Sequence, residues 1–184
     1  MIRAAFSMCL ATPAVAETPA FLQAVGGDFA LTDQTGATRT QASPDGTAQL
    51  LFFGYANCKQ ICSSVLPQMA DVVDDLARDG VAVTPMMITV DETVDTVATL
   101  GPALREYHPD FVGLTGSQTE LQVAYDAFQI EKEHLFDDPE YGPVYAHGSF
   151  LYLMDSAGAV LTIIPPVLTD DEITTIIANY VEPA

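Results

Sequence analysis

The run Asn57-Cys58-Lys59-Gln60-Ile61-Cys62 sets two thiols four positions apart, and their thiolates can attack disulfides or bind soft metal ions. A disulfide needs Cβ atoms about 3.5–4.5 Å apart, whereas residues i and i+4 of a helix hold theirs about 5–6 Å apart. The three-residue spacer therefore suits two thiolates sharing one metal ion at least as well as a low-strain disulfide. A purely stabilising disulfide here would close a very short loop and constrain the unfolded chain little. Lys59 between the sulfurs, and a helix beginning just after them, both favour the ionised thiols.

A third donor has to come from elsewhere in the chain. The histidines are His108, His134 and His147. His147 directly precedes an apolar strand, Ser149 to Met154, expected to run antiparallel to the strand that ends before Cys58, so His147 should lie at the same sheet edge as the two thiols. Two thiolates and one imidazole form a small, soft donor set suited to Cu(I) and poorly suited to Mg or Ca. A structural zinc site would want four ligands, and no fourth Cys or His presents itself. His108 is accounted for by a helix C-terminus and His134 by solvation in an acidic loop, so neither is assigned a role.

The elements that must position these groups can be read from apolar periodicity. Asp28 to Thr40 alternates around Asp33-Gln34-Thr35-Gly36 as a small hairpin. Gln49 to Tyr55 is a continuous apolar run, the pattern of a strand buried on both faces. Val65, Leu66, Met69, Val72, Val73 and Leu76 then recur at helical spacing, and Gly80 closes that helix. With Ser64 as N-cap, Pro67 falls at the third helical position, where it breaks no intrahelical bond, and Cys62 precedes the helix; the alternative is a kinked helix running from Cys58.

A second strand follows over Val81 to Val90, with Pro85 as an irregularity, then a helix from Val94 to Tyr107 and a short strand from Phe111 to Leu114. Ser117 with Glu120, and Thr169 with Glu172, form capping boxes that open two further helices. Between them, Ser149 to Met154 and Val160 to Ile164 flank the turn Asp155-Ser156-Ala157-Gly158 as an antiparallel hairpin. Alternating β and α units with right-handed crossovers predict an α/β fold of thioredoxin-like arrangement: a central, mostly parallel sheet, helices on both faces and a C-terminal antiparallel hairpin. Met86 and Met87 on the second strand are read as core residues, the alternative being that an exposed one of them helps in metal transfer.

Composition bounds the function. The 184 residues, 49% apolar and 17% charged, suit one globular domain and exclude a disordered chain. Six basic residues against 25 acidic ones give a formal charge of −19 and no basic cluster, which argues against nucleic acid and against an anionic membrane surface as partners. Arg3, the apolar stretch Ala4 to Ala16 and the small-residue pattern Ala14-Val15-Ala16 read as a secretory signal peptide over residues 1–16, too short and too interrupted by Pro13 to span a bilayer. Cys9 leaves with it. The expectation is a single domain over residues 17–184, exported to the periplasm or an equivalent oxidising compartment, without a transmembrane anchor after cleavage, working as a monomer and keeping only Cys58 and Cys62.

Four segments in order, GYANCKQIC, ITVDETVDT, YHPDFVGLTGS and HGSFLYLMDSAG, resemble the Sco/SenC family of copper-binding assembly factors, over residues 26–182. The resemblance implies a thioredoxin-like fold and copper, as Cu(I) with Cu(II) a further state, held by Cys58, Cys62 and His147. It further implies a copper-receiving client, an oxidase subunit: the chain would deliver copper to the dinuclear centre of cytochrome c oxidase or a related cuproprotein. The alternative is a thiol:disulfide oxidoreductase whose redox pair, Cys58 and Cys62, reduces the cysteines of that centre. Lys59 and Ser63 stand where the family usually has prolines, and Gly148 where a Ser often follows the histidine. The stretch Asp91 to Asp95 lacks the family's usual Pro and Arg, but Asp91 and Asp95 match its acidic positions. Those two carboxylates are read either as tuning the site or meeting a basic partner, or as the solvated start of a helix.

Overall fold

The structure, a computed structural model, describes residues 21–56 and 62–183. The signal peptide expected over residues 1–16 and the thiol of Cys58 lie outside those residues. After a short 3-10 turn at Leu22–Ala24, the chain runs β1 (Ala30–Asp33), β2 (Thr38–Thr40), β3 (Ala48–Gly54), α1 (Cys62–Arg78), β4 (Val83–Thr89) and α2 (Val97–Arg105). It continues through β5 (Val112–Thr115), α3 (Gln118–Phe128), β6 (Glu133–Asp138), β7 (Gly142–Ala146), β8 (Leu151–Met154), β9 (Val160–Ile164) and α4 (Asp170–Ala178).

Seven strands form one sheet in the order β2-β1-β5-β4-β3-β8-β9. Its centre is the parallel set β5, β4 and β3, flanked by the antiparallel hairpin β1–β2 on one side and β8–β9 on the other, as the α/β reading requires. Every residue of β3 is buried, in keeping with its unbroken apolar run. Helices α1 and α2 each join neighbouring parallel strands in the same direction across the sheet, so right-handed crossovers put both on one face. Helix α4 packs on α1. On the other face Phe53 meets Tyr125 and Phe128 of α3, with ring centroids 6.1 and 5.3 Å away. Met86 and Met87 are fully buried, which settles them as core residues.

Local chemistry sets the boundaries. At the end of α1, Val81 N–H donates to the Leu76 carbonyl and Gly80 N–H to that of Ala77, a Schellman closure that needs Gly80 at φ +79°. Both capping boxes form: Ser117 with Glu120, and Thr169 with Glu172. Gly113 on β5 lets α2 approach closely, because a Cβ there would lie 2.5 Å from Leu104 Cδ1. Pro85 sits in β4 one residue before the ladder to β5 begins at Met86, so on that side its missing N–H faces no paired strand.

Four features depart from the sequence reading. Helix α1 already includes Cys62 and Ser63, so Ser64 is not its cap, and Pro67 lies inside the helix and removes one rung of its hydrogen-bond ladder. Helix α2 starts at Val97, because residues 91–96 are drawn into a turn by Asp91 and Asp95. Strand β8, read from Ser149, begins at Leu151. Finally, the acidic loop holding His134 is a hairpin, β6–β7, that forms a two-stranded sheet of its own.

Candidate metal centre

The candidate site lies where β3 gives way to α1. Strand β3 ends at Gly54, and Tyr55, buried, continues toward the thiol segment. Cys62 lies in the first described turn of α1; its side chain, like all of Cys58, is outside the described residues. Among the described residues no group of three or more His, Cys, Asp or Glu side chains is arranged to hold a metal ion.

His147 arrives from the far side of the chain, between β7 and β8. Because β8 runs antiparallel to β3, pairing Leu151 with Phe52 and Met154 with Gln49, its start lies beside the end of β3. The imidazole accordingly stands edge-on to Tyr55 and Phe52, with centroids 6.1 Å from each. Its Nδ1 is 2.9 Å from the Gly148 carbonyl oxygen. A carbonyl only accepts, so Nδ1 carries the proton and Nε2 carries the lone pair. A backbone carbonyl fixing one ring nitrogen so that the other can ligate is the usual arrangement of metal-bound histidines.

The turn after β4 borders the same end of the sheet. Asp91 and Asp95 are 2% and 1% exposed, which rules out the reading of both as a solvated helix start. Asp95 Oδ2 accepts the Ala56 N–H at 2.9 Å and the Thr89 hydroxyl at 2.8 Å, and its backbone carbonyl accepts the Thr115 hydroxyl at 2.8 Å. It thus ties the first residues after β3 to β4 and β5. Burial pushes its carboxyl up to about 6 against the pull of those two side-chain hydrogen bonds, and the charge of Asp91 adds to the rise. Asp91 Oδ1 accepts the Thr93 N–H and hydroxyl, closing the turn. Nothing in the sequence pattern marks these carboxylates as buried, since Glu92 and Thr96 beside them are polar too.

His108 and His134 each meet an aspartate, and the His134 ring also lies 5.7 Å from that of Tyr145 on β7. His108 Nε2 meets Asp74 Oδ1 at 3.3 Å, and His134 Nε2 meets Asp137 Oδ1 at 3.0 Å.

Comparison with known proteins can now be set beside this geometry. The family model SCO1/SenC matches residues 17–182. The chain belongs to that family. An SCO2-like protein of Rickettsia conorii is 34% identical over 140 residues, covering 74% of this chain and 67% of its own length. The crystal structure of Arabidopsis thaliana ScoI with copper bound superposes with a TM-score of 0.79 at 26% identity, over 85% of this chain and 97% of that one. BsSco, described with a disulfide switch as a member of the Sco family of cytochrome c oxidase assembly proteins, superposes at 0.63 and 26% identity, over 83% of this chain and 91% of its own. As a SCO1/SenC member the chain has the thioredoxin-like fold anticipated for it. Among its described residues no helix is long and apolar enough to cross a membrane.

Proposed function

We propose that this SCO1/SenC protein carries copper as cargo and hands it to a client in the assembly of cytochrome c oxidase or a related cuproprotein. The donor set is the thiolates of Cys58 and Cys62 with Nε2 of His147. The observation that supports the reading is the placement of His147: its ring lies beside Phe52 and Tyr55 at the end of β3 from which the CxxxC segment departs, with Nδ1 bonded to the Gly148 carbonyl. Two soft sulfurs and one imidazole fit Cu(I) by donor chemistry, and the copper-bound plant relative of the same fold supports the choice of metal. Cargo held by three donors can leave by ligand exchange to a client that offers more.

The reading of the compartment rests on the leader-like pattern of residues 1–16. We assign residues 1–16 to a cleaved leader and residues 17–184 to one exported domain, where a reduced pair of thiols has to be protected from oxidation by bound metal or regenerated by a reductant. The disulfide switch described for BsSco supports a second reading, in which Cys58 and Cys62 exchange electrons with client thiols.

One titration separates the two. Reduced protein lacking residues 1–16 is titrated anaerobically with Cu(I) against a competing chelator, beside His147→Ala. Tight one-to-one binding that weakens at least tenfold in the variant is the expected result. Weak binding indifferent to His147 overturns copper carriage and leaves the thiol pair as a redox site.

A further inference from the structure

His147 reaches the end of β3 on a hairpin that shares no ladder with the main sheet. Backbone pairing therefore does not hold β6–β7 against the core, and side chains must. One cluster at the open end of the hairpin does so. Lys132, immediately before β6, places Nζ 3.1 Å from Glu92 Oε2 in the turn after β4, with both side chains less than a quarter exposed. The same Nζ stands 4.5 Å above the ring of Tyr145 on β7. Tyr145 in turn meets Tyr55 edge-on, 6.0 Å between centroids at 89°, and Tyr55 meets His147. The register pairs Glu133 with Ala146, so one further step sets Lys132 across from His147.

Charge makes the lysine hard to replace. Its sequence neighbours are Glu131 and Glu133, and Asp91 lies next to Glu92, so without an ammonium this corner would be wholly acidic. Lys132 is the one lysine among the described residues. An ammonium shared between a half-buried carboxylate and an aromatic face gains from both attractions where solvent screening is reduced.

We infer that Lys132 is a positioning residue: by bridging Glu92 and the face of Tyr145 it clamps the hairpin onto the turn after β4 and so holds the His147 imidazole at the end of β3. The inference rests on the proposed copper reading for its consequence, but the clamp itself is a property of the metal-free protein. Its work is to preorganise the third ligand, so that binding does not have to order the hairpin.

The test uses Lys132→Met, which keeps most of the aliphatic stem and removes the ammonium, with Lys132→Arg as rescue and Glu92→Gln as the partner variant. In the metal-free protein, Lys132→Met and Glu92→Gln should speed amide exchange across β6 and β7 several-fold and shift the His147 ring resonances, while amides of β3 exchange as before. Lys132→Arg should restore both. In the Cu(I) titration the Met variant should bind about tenfold more weakly than wild type, with Arg again restoring affinity. Unchanged exchange in β6 and β7 overturns the clamp. Faster exchange with unchanged Cu(I) affinity overturns the claim that the clamp positions a ligand. Failure of the wild-type protein to bind Cu(I) would instead overturn the copper reading, and the exchange data would still decide the clamp.

Discussion

Asp95 should make the protein less stable as pH rises through the acid range, and a single substitution isolates the effect. Its carboxyl is 1% exposed and titrates at about 6, against 3.8 for an ordinary aspartate. Below 3.8 the folded and unfolded chains both hold the proton, and nothing is lost. Between 3.8 and 6 the unfolded chain releases it while the folded chain keeps it, so stability falls with rising pH; above 6 the whole loss is in place. At 1.36 kcal/mol per unit, the gap corresponds to about 3 kcal/mol. Because Ala56 N–H and the Thr89 hydroxyl both donate to Oδ2, the amide oxygen of Asp95→Asn can take both bonds without a charge. Urea unfolding of the reduced, metal-free protein at pH 3.5 and pH 7 supplies the readout. The stability of Asp95→Asn relative to wild type should rise by about 3 kcal/mol between the two, since contributions from acids not coupled to Asp95 cancel in the difference. Asp95→Ala is the control: it strands the Ala56 N–H and should cost about 1–3 kcal/mol near pH 4. A wild-type-minus-Asn difference that does not change with pH would refute the argument, because it would mean that Asp95 ionises as freely in the fold as in the open chain.

Two further expectations concern the scaffold. Phe53→Ala removes a fully buried ring that touches Tyr125, Phe128 and Tyr152, and should cost about 3–5 kcal/mol in urea unfolding; a loss under about 1 kcal/mol would contradict its place at the centre of the core. Gly113→Ala drives a methyl to within 2.5 Å of Leu104 Cδ1 and 3.2 Å of Leu100 Cβ, for about 1–3 kcal/mol of overpacking; combined with Leu104→Ala, the two losses should sum to clearly more than the double variant shows, and strict additivity would rule out the contact as the cause.

Much of the architecture was legible because it is written in short-range rules. The run from Gln49 to Tyr55 could only be a strand buried on both faces, and Ser117, Thr169 and Gly80 mark helix ends by hydrogen-bond chemistry local to each. The position of His147 also followed from local facts, since an antiparallel neighbour of β3 must begin where β3 ends. What escaped the reading depends on tertiary context. Strand β6, Glu-His-Leu-Phe-Asp-Asp, is charged and largely exposed on both faces, so it shows no burial period. Its turn was the available clue: Asp138 Oδ1 accepts the N–H groups of Glu140 and Tyr141, and Gly142 takes φ +82°, after a proline that favours turning. Asp91 and Asp95 were open to reading as solvated because carboxylates usually are; they are buried here because hydroxyl and amide donors from the turn, β4 and the end of β3 converge on them. The inclusion of Cys62 and Ser63 in α1 overrides the simple preference for Pro67 in the first turn.

The separation of the β6–β7 hairpin from the seven-stranded sheet has a consequence for what a melting curve can report. Cooperative unfolding measures the sheet and the helices packed on it, whereas the strand leading to His147 can open alone at a fraction of that free energy. Variants around Lys132 or in the hairpin can therefore melt at the wild-type temperature with full secondary structure and still present no third ligand. For this protein, foldedness and competence are two quantities, and a substitution can abolish the second without leaving a trace in the first.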